Sequence, residues 1–248
     1  EHPWVAITLN NLANLLMRQG SYAQALPMYE RSLAIYEKVL GPEHLWVAES
    51  LINLAGILGK QGSYAEARSL FERALEIQEK VLGPEHRDVA QGLNHFAALL
   101  NAQGFSAEAG PLYKRALAIR EKTLGPEHLE VAISLNNFAG ILKAQGSYAE
   151  ARPLYERSLA IREKALGPEH PDVAQSLNSF ANFFEAQGSY AEARPLYEQG
   201  LRSALNHLSL NMGSMTEAER FRYLATKKGP GPLLLNLVAI QGEGPEKN

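Results

Sequence analysis

The sequence is built from one segment repeated at a fixed spacing of 42 residues. Gly-Pro-Glu-His occurs at 41–44, 83–86, 125–128 and 167–170, and Gln-Gly recurs five times in the same register. These copies define units over residues 1–42, 43–84, 85–126, 127–168 and 169–202, with no insertion between them. A period of about 20–50 residues is typical of arrays in which each unit buries its apolar face against its neighbours. The repeat therefore predicts a stacked array.

Within each unit the apolar residues are spaced as on an α-helix. Val5, Leu9, Leu12, Ala13 and Leu16 fall at i, i+4, i+7, i+8 and i+11, which is one helical face. The second half of the unit has a similar series, made of Tyr22, Ala25, Tyr29, Leu33, Tyr36 and Leu40. Gln-Gly-Ser separates the two halves, and Gly-Pro ends the second. Each unit is therefore predicted to be a helical hairpin, with a helix A of about 17 and a helix B of about 20 residues.

Composition narrows the classes of function. The formal net charge is −3, which argues against a surface that binds nucleic acid or anionic membranes. The chain has no cysteine, which excludes disulfides, thiolate metal sites and a cysteine nucleophile. No apolar run is long enough to span a membrane, and there is no signal-peptide pattern. The chain starts with Glu and not Met, which indicates a fragment, and a cytoplasmic location is favoured.

The repeated positions resemble a known family. The large, small, glycine and aromatic pattern of tetratricopeptide (TPR) repeats is matched by Leu9, Ala13, Gly20, Tyr22, Ala25, Tyr29 and Leu33. The 42-residue period, the long helix B and strings such as Leu-Asn-Asn-Leu-Ala at 9–13 are similar to the kinesin-light-chain type. The resemblance covers residues 1–202. It implies an all-α, right-handed superhelical solenoid of five hairpins, in which helix A lines the concave side and that side holds cargo peptides.

The repeat stops after Arg202, and residues 203–248 form a separate C-terminal segment. A capping-box pattern at 216–219 predicts a short helix over about 216–227. Gly229 to Pro232 then interrupts it, and an apolar run from Leu233 to Ile240 follows. The string at 215–225 is similar to the linker that follows TPR arrays in bacterial proteins ending in a caspase-like CHAT domain. Two interpretations stay open here, a cap on the last hydrophobic face of the array or such a linker.

No residue pattern indicates catalysis or a metal site. His2, His44, His86, His128 and His170 recur once per unit, so they lie about 10 Å or more apart and cannot share one zinc ion. We interpret them as loop residues at helix starts. The acidic residues are periodic and so lie on a solvated face, and neither a phosphate loop nor a nucleophile elbow is present. The chain is predicted to be no enzyme and to need no cofactor.

The surface predicted to stay open is a strip along helix A, named here the helix-A strip. Its positions are 7, 10, 14 and 17 of the first unit and their equivalents, with 11 and 18 at its border, and asparagine recurs there. A side-chain amide can donate to and accept from an extended peptide of any sequence. We therefore predict a peptide-binding groove formed by Asn10, Asn14, Asn53, Asn94, Asn136, Asn137, Lys143, Asn178 and Asn182. Small residues at Gly56, Ala98 and Gly140 leave space for a ligand. The alternative is that these amides only bond adjacent helices A.

Trp4 and Trp46 occupy one position in units one and two, where they form an aromatic contact site or pack on the preceding helix B. The favoured function is a protein-interaction module that binds a peptide or partner segment in the groove. An alternative is the regulatory array of a larger bacterial effector with a downstream catalytic domain. A third is end-to-end stacking into oligomers, although a monomer is favoured. Nucleic acid and membrane partners are not expected.

Overall fold

The computed structural model describes the backbone of residues 2–212 and the side chains up to Asn206. Over this range the chain forms ten α-helices and no strand, so the predicted all-α fold of five hairpins is confirmed. The helices are α1 (Pro3–Arg18), α2 (Tyr22–Leu40), α3 (Leu45–Gln61), α4 (Tyr64–Leu82), α5 (Arg87–Ala102), α6 (Ser106–Leu124), α7 (Leu129–Ala144), α8 (Tyr148–Leu166), α9 (Pro171–Glu185) and α10 (Tyr190–Met212). Odd-numbered helices are helices A, even-numbered helices are helices B, and hairpins one to five are the consecutive pairs. Residues 203–212 of the predicted C-terminal segment continue α10, whereas the helix predicted at 216–227 lies outside the described residues.

The helices fall into two compact bodies, α1 to α6 up to Pro126 and α7 to α10 from Glu127 onward. In both bodies the two helices of a hairpin approach closely through alanines. Each helix A carries one at the same repeat position and each helix B another, and all are 0–2% exposed. These are Ala13, Ala25, Ala55, Ala67, Ala97, Ala109, Ala139, Ala151, Ala181 and Ala193. The small side chains let the backbones of the two helices pack closely.

Larger side chains fill the space between hairpins. In the first body Ile35 and Tyr36 of α2 pack with Val47 and Leu51 of α3. In the second body the core of hairpins four and five is mainly aromatic, and the rings of Tyr155 and Phe180 stack with centroids 5.8 Å apart. Within the first body α2 packs on α3 and α4 packs on α5, and within the second body α8 packs on α9. In α1 Leu15 is 52% exposed.

The repeated histidines have a structural role that sequence reasoning did not assign. His2, His44, His86, His128 and His170 are the N-cap residues of α1, α3, α5, α7 and α9. The Nδ1 atom of each accepts a hydrogen bond of 3.1–3.3 Å from the backbone N–H two residues later. Each bond satisfies one of the N–H groups that a helix start leaves without a partner. The prediction that these residues lie at helix starts holds, and their function there is capping.

Two glycines end helices in different conformations. Gly62 follows α3 with φ 86° and ψ 4°, which is the left-handed helical region, whereas Gly83 follows α4 with φ 86° and ψ 155°. Asparagine adopts the first region readily, but the second is essentially restricted to glycine. No atom lies within 4 Å of a Cβ built on either glycine, so the backbone alone decides the cost of a side chain.

We expect Gly83→Asn to lower the free energy of unfolding by about 1–3 kcal/mol because its backbone conformation is strained for any side chain. Gly62→Asn is expected to cost distinctly less. Urea unfolding followed by circular dichroism measures both values. Equal losses would contradict this assignment of the two helix ends.

Candidate binding surface

The helix-A strip lies at the surface in both bodies, with one exception. Asn182 is exposed, and the remaining predicted residues other than Asn94 are half-buried, namely Asn10, Asn14, Asn53, Asn136, Asn137, Lys143 and Asn178. Asn94 is only 6% exposed. The helical plot therefore predicts the orientation of the strip correctly but overstates how open its asparagines are.

One pair of amides bridges adjacent helices A. Nδ2 of Asn53 in α3 donates to Oδ1 of Asn10 in α1 at 3.2 Å. The side chains come from neighbouring hairpins of the first body and meet on the strip. This contact is the one that the alternative interpretation expects, so Asn10 and Asn53 serve hairpin stacking in the structure described here.

Asn94 is tied to the helix B of its own hairpin. With its amide oriented so that Oδ1 faces α6, it accepts from Nη2 of Arg120 at 3.2 Å and also from Nη1. The Arg120 side chain is itself buried, at 7% exposed. A buried guanidinium needs acceptors for its N–H groups, since an unsatisfied buried donor is costly. Asn94 is therefore a structural residue and not part of the open surface.

The asparagines at the same repeat position in the second body behave differently. Oδ1 of Asn136 and Oδ1 of Asn178 are buried, and neither accepts a hydrogen bond from any described residue. Both side chains as a whole are only half-buried, so part of each amide still reaches the surface. A buried acceptor without a partner is rare in native proteins and calls for an explanation.

Two further asparagines bond a tyrosine across their own hairpin. The Tyr29 hydroxyl of α2 donates to Oδ1 of Asn14 at 2.7 Å, and the Tyr197 hydroxyl of α10 donates to Oδ1 of Asn182. Tyr197 is also 2.6 Å from Oε2 of Glu185. Burial raises the pKa of Tyr29 to about 12, and burial together with Glu185 raises that of Tyr197, so both hydroxyls keep their protons at neutral pH. We name the hydrogen bond from the tyrosine hydroxyl to Oδ1 of the asparagine the Asn–Tyr clasp.

The first body has a cavity of about 580 Å³ on the helix-A strip. It lies mainly over α3 and α5, and α1, α2 and α4 also contribute lining residues. The residues that line it are Met17, Tyr22, Ile52, Asn53, Gly56, Gly59, Lys60, Tyr64, Phe71, His95, Ala98, Leu99 and Ala102. Gly56 and Ala98 are small residues for which the sequence predicts space. The residues contributed by helices B, such as Phe71 and Tyr64, were not predicted, because they approach the strip only in the folded chain.

The cavity combines apolar walls with a few polar groups at its edge. Phe71 and Leu99 are buried, and Gly59 lies close enough to Leu99 that an added Cβ would stand 2.5 Å from its Cδ1. Asn53, Lys60 and His95 are the polar lining residues that carry an amide, an ammonium and an imidazole. Desolvation, with a smaller effect of the Arg120 charge, lowers the pKa of His95, so its ring is neutral at pH 7. The site can therefore bury apolar groups and bond amides around them.

The two tryptophans differ in their surroundings. The Trp46 ring lies 5.5 Å from that of Tyr36 in the preceding helix B and 5.5 Å from that of His44. This is the packing role that sequence analysis offered as one interpretation. Trp4 is 69% exposed, and no described helix B precedes it. Trp46 thus packs on a preceding helix B, whereas the ring of Trp4 is mostly exposed.

Catalytic or metal chemistry gains no support from the described residues. Over this range no three His, Asp or Glu side chains come together in a way that could hold a metal ion. None of the described helices is long and apolar enough to cross a membrane. The titratable groups that meet there belong to caps, to clasps and to ion pairs within one helix or between helices, such as Arg68 with Glu72 and Arg73 with Glu37.

Comparison with known proteins identifies the family. The model of the tetratricopeptide repeat family matches residues 4–80, 49–94, 88–164 and 130–206, which overlap along the array. A comparison with curated protein sequences found no match.

Among solved structures, a Podosopora anserina protein with nearly identical TPR-like repeats of the kinesin light chain type is 31% identical, with a TM-score of 0.72. The match covers 84% of this chain and 98% of that one. BtubC (BKLC) from P. vanneervenii shares the fold at 21% identity, with a TM-score of 0.72 and 83% and 82% covered. A Rap protein complexed with competence and sporulation factor shares it at 18% identity, with a TM-score of 0.66 and 94% and 62% covered. The chain belongs to the tetratricopeptide repeat family and is similar to its kinesin light chain-like members.

Proposed function

We propose that this chain is a non-catalytic protein-interaction module that binds an extended peptide of a partner protein along the helix-A strip. The observation that carries the proposal is the 580 Å³ cavity over α3 and α5. Its volume falls in the range of about 300–1,000 Å³ that ligand sites occupy, and such sites combine apolar walls with a few polar groups. A Rap protein of the same fold was solved in a complex with another molecule, which supports this role for such an array.

The asparagines of the strip add hydrogen bonds to this proposal. Asn53 lines the cavity. Asn136 and Asn178, which share one repeat position with each other, are half-buried in the second body. Each hydrogen bond to a peptide backbone would contribute about 0.5–1.5 kcal/mol net. Asn137, Lys143 and Asn182 stay in the proposed site as surface groups of the same strip. Asn94 supports the site through Arg120 and does not contact the ligand.

The setting of the proposed module follows from composition. A net charge of −3 does not favour nucleic acid or anionic membranes as partners, and a chain without cysteine is suited to a reducing compartment. We therefore include in the proposal a cytoplasmic, monomeric protein whose partner is another protein. Light scattering on the 248-residue chain tests the monomer.

Peptide selection on the intact chain tests the proposal. Random 12-residue peptides displayed on phage are selected on the immobilised 248-residue protein, and affinities of synthetic copies are measured by fluorescence anisotropy. We expect Ala98→Arg to weaken binding of the selected peptides at least about tenfold, because the long side chain enters the cavity that Ala98 lines. Arginine is a good helix former, so folding should be unaffected.

The matched control is Ala118→Arg in α6 of the same hairpin. Ala118 is also an exposed alanine in the middle of a helix, but it does not line the cavity. This variant is expected to bind as the unmodified chain does. If both variants keep full affinity, or if no peptide is selected at all, the proposed function is wrong.

A further inference from the structure

The five hairpins place different residues at one pair of facing positions. These positions are the helix-A position of Asn14 and the helix-B position of Tyr29. Hairpins one and five carry asparagine and tyrosine there, and both form the Asn–Tyr clasp. Hairpin two carries Gly56 and Phe71, which lack both the amide and the hydroxyl. Hairpins three and four lack only the amide, because they carry Ala98 and Gly140 together with a tyrosine. The contact that closes this part of the strip in hairpins one and five is therefore absent from hairpin two.

The space left by the missing clasp is the cavity itself. Gly56 and Phe71 both line it, and a Cβ built on Gly56 meets no other atom within 4 Å. The Phe71 ring is fixed at the back of the cavity by stacking on Phe96, with centroids 5.6 Å apart. An asparagine at position 56 would thus project into open space, as Asn14 projects toward Tyr29 in hairpin one.

The residues that line the cavity determine which kind of ligand side chain fits into it. Its walls include Ile52, Phe71, Leu99 and the small Gly56 and Ala98. Lys60 is the charged lining residue at neutral pH, and no carboxylate is among the lining residues, so a basic side chain would find no counter-charge. Burial of a large apolar side chain is favourable by contrast.

We propose that the pair Gly56 and Phe71 determines the specificity of the strip, by opening in hairpin two a cavity for one bulky apolar side chain of the bound peptide. This inference rests on the proposed function, and it names the part of the peptide that the chain selects. In hairpins one and five this space is filled by the asparagine at the equivalent position, Asn14 or Asn182. In hairpin two the apolar side chain of the ligand fills it.

The test installs the clasp of hairpin one in hairpin two. The double variant Gly56→Asn with Phe71→Tyr reproduces the Asn14–Tyr29 pair, and Gly56→Asn alone serves if a hydroxyl at the buried Phe71 disturbs folding. The probes are the peptides selected on the unmodified 248-residue chain, each also made with its bulkiest apolar residue changed to alanine. We expect the clasp and the alanine change each to weaken binding about 10- to 100-fold.

The two changes should not add, because both remove the same contact. On the clasped variant, the alanine change in the peptide is expected to have an effect of less than about threefold, as residues in direct contact show in double-mutant cycles. Ala118→Asn is the control, since it introduces the same side chain in the first body at an exposed helix-B position that lies outside the strip and does not line the cavity.

Several outcomes overturn the inference, and they differ from failure of the proposed function. Additive losses, selected peptides without a common bulky apolar residue, or an equal loss in Ala118→Asn would each show that the cavity does not select this side chain. If Ala98→Arg abolishes binding while the clasped variants bind normally, the groove binds peptides and only this inference fails. If neither Ala98→Arg nor the clasp changes affinity, the proposed function fails as well.

Discussion

Replacing Ile57 with alanine is expected to lower the free energy of unfolding of the first body by about 2–5 kcal/mol. Ile57 is 0% exposed in α3, a helix that packs against both α2 and α4. Removing its outer carbons leaves a cavity between close-packed helices, and the loss combines the transfer free energy with the cost of that cavity. Urea unfolding and amide hydrogen exchange measure the loss.

The chain contains its own control for this prediction. Leu15 occupies the same repeat position in α1 but is 52% exposed, so Leu15→Ala removes a similar number of carbons from a surface. We expect a cost below about 1 kcal/mol, as for most surface substitutions. Equal costs at Leu15 and Ile57 would show that the exposed face of α1 is covered in solution.

This pair also shows how far the repeat alone predicts structure. The periodic positions of leucine and isoleucine give the helices, their lengths and the buried face, because every unit repeats the same spacing. They do not give the burial of a residue, since Leu15 and Ile57 have equivalent positions in the pattern. Burial depends on which helices pack against the residue, and that is a property of the array and not of the unit.

The candidate site also has one part that the sequence predicts and another part that it does not. The strip along helix A, with its small residues Gly56 and Ala98, follows from helical geometry within one unit. The back wall at Phe71 does not, because it comes from a helix B and reaches the strip only through tertiary packing. The capping role of the histidines was also not predicted, because His is not among the residues that usually cap helix starts.

A second large loss of stability is expected when Asn94 is replaced. Asn94→Ala should lower the free energy of unfolding by about 1.5–3 kcal/mol, because the guanidinium of the buried Arg120 loses an acceptor. Asn136→Ala and Asn178→Ala, at the same repeat position, should change stability by less than about 0.5 kcal/mol or increase it. Their Oδ1 atoms accept no hydrogen bond from the described residues, and alanine is the better helix former. Thermal and urea unfolding of the three variants provide the comparison.

Asn94→Asp separates the lost hydrogen bond from other effects of the substitution. Aspartate keeps an oxygen acceptor in place and adds a charge opposite to that of Arg120, so this variant should retain most of the stability. Its stability should then decrease at low pH. The guanidinium lowers the pKa of the new carboxylate relative to the unfolded chain, and this contribution is lost as the carboxylate is protonated. A full loss in Asn94→Asp at neutral pH would contradict the pairing with Arg120.

The same variants decide what the other asparagines do. If the double variant Asn136→Ala with Asn178→Ala keeps its stability but binds selected peptides about 5- to 150-fold more weakly, the amides bond the ligand backbone, since two lost bonds correspond to about 1–3 kcal/mol. If instead it loses as much stability as Asn94→Ala, the amides hold the hairpins together in solution. Ligand contact would then be limited to the cavity over α3 and α5, because the amides of the second body would be committed to its own packing.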